Sequence, residues 1–318
     1  MKKTISVILL IAITFAAGAC TSLKKETATP PAEGKLRTVT VGLMPDVESI
    51  PFIIAQEKGY FKEEGLDVKL EFFKSAVDRD SALQSGNLDG AVSDMLAEVF
   101  AKAGGFDMVI TSMTSGSYKM VIGKDITATT IQELKGRDVA ISKNTIIEYV
   151  TDRMLAEGGL KPDDINKIII PQIPARLEML QNGKIAAATM PEPLASLAVK
   201  NGAKLLRSSD QLGLYPGVMV FTRKAVTEKE KELQALYRAY SKSIEYLARE
   251  PLEKDMDMLV EKAGFPPGVK GVLVLPKYQK AVAPKIADVE TVINWMLERK
   301  LIQKPLGYQD LVDDRFTR

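Results

Sequence analysis

The chain of 318 residues has no histidine, one cysteine and one tryptophan, and its 43 lysines and arginines nearly cancel its 41 aspartates and glutamates. Each shortage removes a class of chemistry. Without histidine there is no Ser-His-Asp or Cys-His nucleophile, no imidazole acid-base step and no His-bound zinc. One cysteine forms no intrachain disulfide and no cysteine metal cluster. A formal net charge of +2 sets up no field that would gather nucleic acid or an anionic membrane surface, so neither is expected as an electrostatic partner.

What is present begins with a leader pattern. Lys2 and Lys3 precede an apolar run from Ile5 to Phe15, then small residues, then Cys20. Eleven residues are too few to span a bilayer, which takes about 20, and the layout is that of a secretory signal with its cleavage region. "AAGAC" resembles a bacterial lipobox, with Ala17 where leucine is usual, so residues 1–20 are expected to be a lipoprotein signal and Cys20 the lipidated anchor. Residues 21–35, small, charged and proline-bearing, are expected to be a flexible tether.

From Arg37 onward strand-like and helix-like stretches alternate, which predicts an α/β fold with mainly parallel sheets. The pattern runs twice. "VGL" at 41–43 is echoed by "VAI" at 139–141, "EEGLDV" at 63–68 by "EGGLKP" at 157–162, and "ALQSGNLDGAV" at 82–92 by "MLQNGKIAAAT" at 179–189. Order and spacing together predict two lobes of one topology. Strands near 119–123 and 217–223 bracket the second series, so lobe I is expected at 36–118 and 217–318 and lobe II at 119–216. Capping boxes are predicted at Thr130/Glu133 and Thr227/Glu230, and the tail from Pro251 is expected to pack back on lobe I, with Trp295 in its core.

In open parallel sheets ligands lie beyond the carboxyl ends of the strands. That places Asp46, Glu48 and Ser49 after the first strand, Phe73, Lys74 and Ser75 after the second, Ser93 and Asp94 after the third, and Thr114 after the fourth. In the second series it places Ser142, Asn144, Thr145 and Glu192, with Tyr215 beside the return crossing. Several are equally good helix N-caps. Four carboxylates face Lys74 and Lys143, and no arginine lies at the strand ends, Arg176 near a helix start being the nearest exception; this favours a nitrogen-rich or cationic ligand over a small oxyanion. Phe73, Tyr118 or Tyr215 is placed to stack on such a ring. Gly116, Gly213 and Gly217 are the hinge candidates.

The strings "PFIIAQEKGYFKEEGLDV", "ALQSGNLDGAVSD", "KGRDVAISKNTIIEYVTDRMLAEGGL" and "IPARLEMLQNGKIAAATMPEP", with the lipobox, resemble the substrate-binding lipoproteins of ABC importers, in the type II periplasmic-binding-protein group that serves nitrate, sulfonate, taurine and thiamine-pyrimidine precursors. The resemblance implies a two-lobed fold with two crossover hinge strands. It also implies a monomer outside the cytoplasm, membrane-anchored through its lipid, that closes on a small-molecule solute and docks on an ABC permease and its ATPase. No cofactor, no metal and no catalysis are implied. Rivals on the same fold are a sensor lipoprotein, a menaquinone-pathway dehydratase and a pyrimidine synthase that consumes its own histidine, the last excluded by the absence of histidine. Where the family usually has a Ser-Gly turn after the second strand, this chain has Lys74, Ser75 and Ala76.

Overall fold

A computed structural model describes residues 36–317. The signal, Cys20 and tether expectations lie outside the described residues. Ten strands form two five-stranded sheets. The first holds β1 (Val39–Leu43), β2 (Val68–Phe72), β3 (Gly90–Asp94), β4 (Met108–Met113) and β10 (Gly217–Thr222), in the order β2-β1-β3-β10-β4. The second holds β5 (Tyr118–Ile122), β6 (Asp138–Ile141), β7 (Asn166–Ile169), β8 (Ala187–Pro191) and β9 (Lys204–Ser208), in the order β7-β6-β8-β5-β9. Position for position the two orders are one topology. In each sheet one strand, β10 or β5, runs antiparallel to its neighbours because it belongs to a chain crossing between lobes.

Helices flank both sheets: α1 (Ile50–Glu57), α2 (Tyr60–Glu63), α3 (Ala76–Gln84), α4 (Met95–Ala103), α5 (Ile146–Glu157), α6 (Ile173–Gln181), α7 (Leu194–Lys200), α8 (Arg223–Glu228), α9 (Glu230–Arg249), α10 (Met256–Lys262), α11 (Ile286–Glu298) and α12 (Tyr308–Leu311). The repeat is visible in the starts: α3 begins at 76 and α6 at 173, β3 at 90 and β8 at 187, the same interval each time. β1 and β3 are buried along nearly their whole length, as strands covered on both faces must be.

Three expectations need correction. Glu133 does reach back to the N–H groups of Thr129 and Thr130, at 2.7 and 2.9 Å, but it closes a single 3-10 turn rather than opening an α-helix. Thr227 caps nothing: it lies inside α8, donating to Arg223 O, while Thr222 provides the cap by accepting from Ala225 N. The tail does not keep to lobe I. Trp295 on α11 is buried edge-on against Tyr149 of α5, ring centres 5.4 Å apart, and Arg299 reaches Glu148 and Asp152 of the same lobe II helix at 3.1 and 3.0 Å. On α7, Lys200 donates to the carbonyls of Gly268 and Lys270. A tail with an apolar stripe as broad as Val289, Val292, Ile293, Trp295 and Met296 has more to bury than one lobe can cover.

Candidate functional site

The strand ends of the two sheets face each other, and the lobes are shut. Val47 N–H donates to Glu192 O and Ile173 N–H to Lys74 O, each at 3.1 Å, so backbone joins backbone across the gap. Between these contacts the strand-end loops line a partly open chamber of about 40 Å³, bordered from lobe I by Asp46, Glu48, Arg79, Ser93 and Asp94, and from lobe II by Tyr118, Ser142, Thr145 and Arg176. Of the residues anticipated from sequence, Asp46, Glu48, Ser93, Asp94, Ser142 and Thr145 come together here.

Helix starts position most of them. Asp94 accepts from Ala97 N at 3.0 Å and Thr145 from Ile147 N at 3.2 Å, so each caps its helix and lines the chamber at once. Asp46 accepts from Ser49 N at 3.2 Å and closes a one-turn 3-10 helix. That turn carries Glu48 beneath the crossings, where Thr114 and Tyr118 donate their hydroxyls to its two carboxylate oxygens. A side chain on Gly116 or Gly217 would collide with that carboxyl group, which is why both positions lack one. Burial, with Asp46 beside it, pushes Glu48 up to about 8, and burial pushes Asp46 up to about 6 against the pull of Ser49 and Arg79.

Other anticipated residues go elsewhere. Thr114, Glu192 and Tyr215 border a second, wider groove of about 670 Å³ beyond the first crossing, beneath the segment from Val274 to Asp288. Glu192 there is engaged by Lys119 and by Ser196 Oγ at 2.7 Å. Ser49, Phe73, Lys74, Ser75 and Asn144 border neither space. Ser49 is spent on Met44, whose carbonyl it reaches at 2.8 Å, and Ser75 on capping α3. Phe73 packs against both apolar cores, Lys74 is exposed, and Asn144, at φ 57°, offers its N–H to Glu148.

Two arginines add to the charge balance at the strand ends. Arg79 and Arg176 are 3% and 1% exposed, and each is the fourth residue of its helix. Helical side chains lean toward the N-terminus, so a residue one turn in covers the helix start and reaches the strand ends. Arg79 Nη1 donates to Val92 O at 3.2 Å and Arg176 Nη1 to Thr189 O at 3.0 Å. Arg79 follows from Arg176, and Val92 from Thr189, by the interval that relates α3 to α6. The surplus of carboxylates at the strand ends is therefore met by two buried guanidiniums. A sequence signal existed: "RDSALQSG" at 79–86 and "RLEMLQNG" at 176–183 extend the repeated string by three residues. Three buried polar atoms on the chamber residues have neither a hydrogen bond nor an ion pair, Ser93 Oγ from lobe I and Ser142 Oγ and Arg176 Nε from lobe II, whereas Arg79 Nη2, also without a hydrogen bond, is ion-paired with Asp80.

The family model "NMT1/THI5 like" matches residues 46–254, from the first chamber carboxylate to past the long α9 helix. The chain belongs to the NMT1/THI5-like family. Among relatives of this family member, a putative aliphatic sulfonates-binding protein of Escherichia coli K12 is 22% identical over 239 residues, 73% of this chain and 74% of that protein. A 4-amino-5-hydroxymethyl-2-methylpyrimidine phosphate synthase of Saccharomyces cerevisiae is 29% identical over 135 residues, 41% of this chain and 39% of that protein. Among solved structures, the alkanesulfonate-binding protein SsuA of Xanthomonas axonopodis pv. citri bound to MOPS superposes with a TM-score of 0.74 at 20% identity, covering 86% of this chain and 97% of that one. The likeness establishes the two-lobed periplasmic-binding-protein fold, with a mixed sheet and flanking helices in each lobe. No helix among the described residues is long and apolar enough to cross a membrane.

Proposed function

We propose that this protein is the solute-binding component of an ABC importer, which captures a small polar solute between its lobes and delivers it to a membrane permease driven by an ATPase. One observation carries the reading: both lobes bring buried, unpartnered polar atoms to the same chamber, Ser93 Oγ from lobe I and Ser142 Oγ and Arg176 Nε from lobe II. Leaving such groups unmade costs about 1 to 3 kcal/mol each, and a solute that bonds to both lobes removes that cost only when they are closed. Closure about the crossings then presents a different surface to a permease. The protein works as a binder rather than a catalyst, as a monomer outside the cytoplasm, tethered to the membrane through Cys20. The sulfonates named for the Escherichia coli and Xanthomonas proteins supply the first solutes to test. The thiamine-precursor-like solute suggested by the carboxylates recedes once Arg79 and Arg176 are counted.

The test is a thermal-shift panel on the full chain with alkanesulfonates, nitrate, taurine, aminopyrimidines and polyamines. A true solute at about 100 times its Kd adds about 2.7 kcal/mol and moves Tm by a few degrees. No shift with any solute class would remove the proposal.

A further inference from the structure

The duplicated unit carries an arginine at the same place in each copy, but the two copies are not balanced alike. Arg79 has acidic company: Asp80 Oδ1 lies 2.8 Å from its Nη2 and also accepts from its Nε, and Asp94 Oδ2 lies 3.7 Å away. Arg176 is buried as deeply and makes no ion pair among the described residues, so burial lowers its pKa to about 9 with no carboxylate to offset the effect. It still carries its charge at neutral pH. An isolated buried cation is costly and calls for a counter-charge. Around the chamber the counter-charge is limited from the other side, because Asp46 and Asp94 already stand there and would repel a second negative charge brought by a ligand.

Resting on the importer reading above, we propose that the two lobes grip one anionic group of the solute with one guanidinium each, Arg79 from lobe I and Arg176 from lobe II, with Ser93 and Ser142 completing the cradle, and that the chamber is balanced for a single negative charge. Compact monoanionic heads such as sulfonate, carboxylate or nitrate are held. Dianions such as sulfate and hydrogen phosphate are refused, because the second charge meets the carboxylates of Asp46 and Asp94 and has no further cation to pair with. Guanidinium suits this role better than ammonium, since it presents parallel donors in a fixed plane to two oxygens of one group. The equivalent placement gives the grip a mechanical consequence: neither lobe alone holds the anion, so capture requires closure.

The experiment is calorimetric titration of the full chain in detergent with methanesulfonate, nitrate and acetate, against sulfate and inorganic phosphate, with an aminopyrimidine as the uncharged arm. The expected result is saturable binding of at least one monoanion and about 100-fold weaker binding of sulfate, with inorganic phosphate, a mixture of mono- and dianion near neutral pH, falling between. Arg176→Gln loses about 100-fold or more, whereas Arg176→Lys, which keeps the charge and loses the fork, loses about tenfold. Sulfate binding as tightly as methanesulfonate, or an Arg176→Gln protein that binds as the wild type does, overturns the clamp. Should Arg79→Gln fail to fold, the wild-type selectivity and the two Arg176 variants still decide. Binding of the aminopyrimidine alone sinks the clamp and leaves the importer reading standing; no binding by any solute class removes both.

Discussion

Lobe I and lobe II are built on the same strand order, yet their chamber residues carry different loads. In lobe I the arginine is neutralised by its neighbours and the loop after β1 delivers Glu48, a buried acid held by two hydroxyls under the crossings. In lobe II the arginine stands without an ion pair, and the equivalent loop after β6 ends in Thr145, an uncharged cap. Lobe I thus pairs its own buried arginine, whereas the arginine of lobe II is paired only with something else in the chamber. The difference teaches that a duplicated fold can divide its work: one copy anchors the closed state, and the other supplies the charge that a solute satisfies.

Opposite stability effects of equivalent substitutions sharpen that comparison most. Arg79→Gln leaves Asp80 and Asp94 without their buried cation and is expected to cost about 3 kcal/mol or more, while Arg176→Met removes an unpaired charge and is expected to stabilise the solute-free protein by about 1 to 2 kcal/mol. Urea unfolding followed by the lone tryptophan reads both; equal losses in the two variants would erase the contrast. Next in size, Gly217→Ala drives a methyl group into Glu48 and is expected to cost about 1 to 3 kcal/mol. The first residue of the corresponding lobe II strand, Tyr118, already bears a side chain that bonds Glu48, and Tyr118→Phe, which keeps the ring, is expected to cost no more than about 1.5 kcal/mol. Arg299→Ala unpairs the α11 tail from Glu148 and Asp152, both of which keep Lys167, so about 1 kcal/mol is expected in the same assay.

The smallest effect is on pH. Glu48 holds its proton more tightly folded than unfolded, as does Asp46, so the native state binds more protons across the interval between. Their joint stabilisation is full below about 3.8 and is lost as pH rises through about 6 for Asp46 and toward about 8 for Glu48. Wild-type Tm should fall across that window and Glu48→Gln should flatten the slope. A Tm that rises between pH 6 and 8, by an amount the variant abolishes, would show the opposite linkage.

Much of this was legible beforehand, and what escaped has definite physical causes. The repeated strings and glycine stops announced two copies of one α/β unit, and the carboxyl-end rule found Asp46, Glu48, Ser93, Asp94, Ser142 and Thr145. Arg79 is not legible from the residues adjoining the strand, because a side chain one helical turn farther on leans back over the same spot. Ser75 and Asn144 looked like their neighbours because capping and ligand contact demand the same residue types; only geometry separates a serine spent on Asp78 from one whose hydroxyl is unpartnered. The edge strand β9 carries little local signal, since Lys204–Ser208 alternates weakly and two of its five residues are exposed. The tail's attachment to both lobes depends on long-range packing that local pattern does not encode.

The central claim is that the solute sits between the strand ends rather than in the wider groove under residues 274–288. A crystal structure of the full chain with methanesulfonate decides it. The account predicts sulfonate oxygens within hydrogen-bond distance of both Arg79 and Arg176, with the lobes closed as they are here. A sulfonate bound in the groove beside Glu192 and Tyr215, with both guanidiniums untouched, would contradict it.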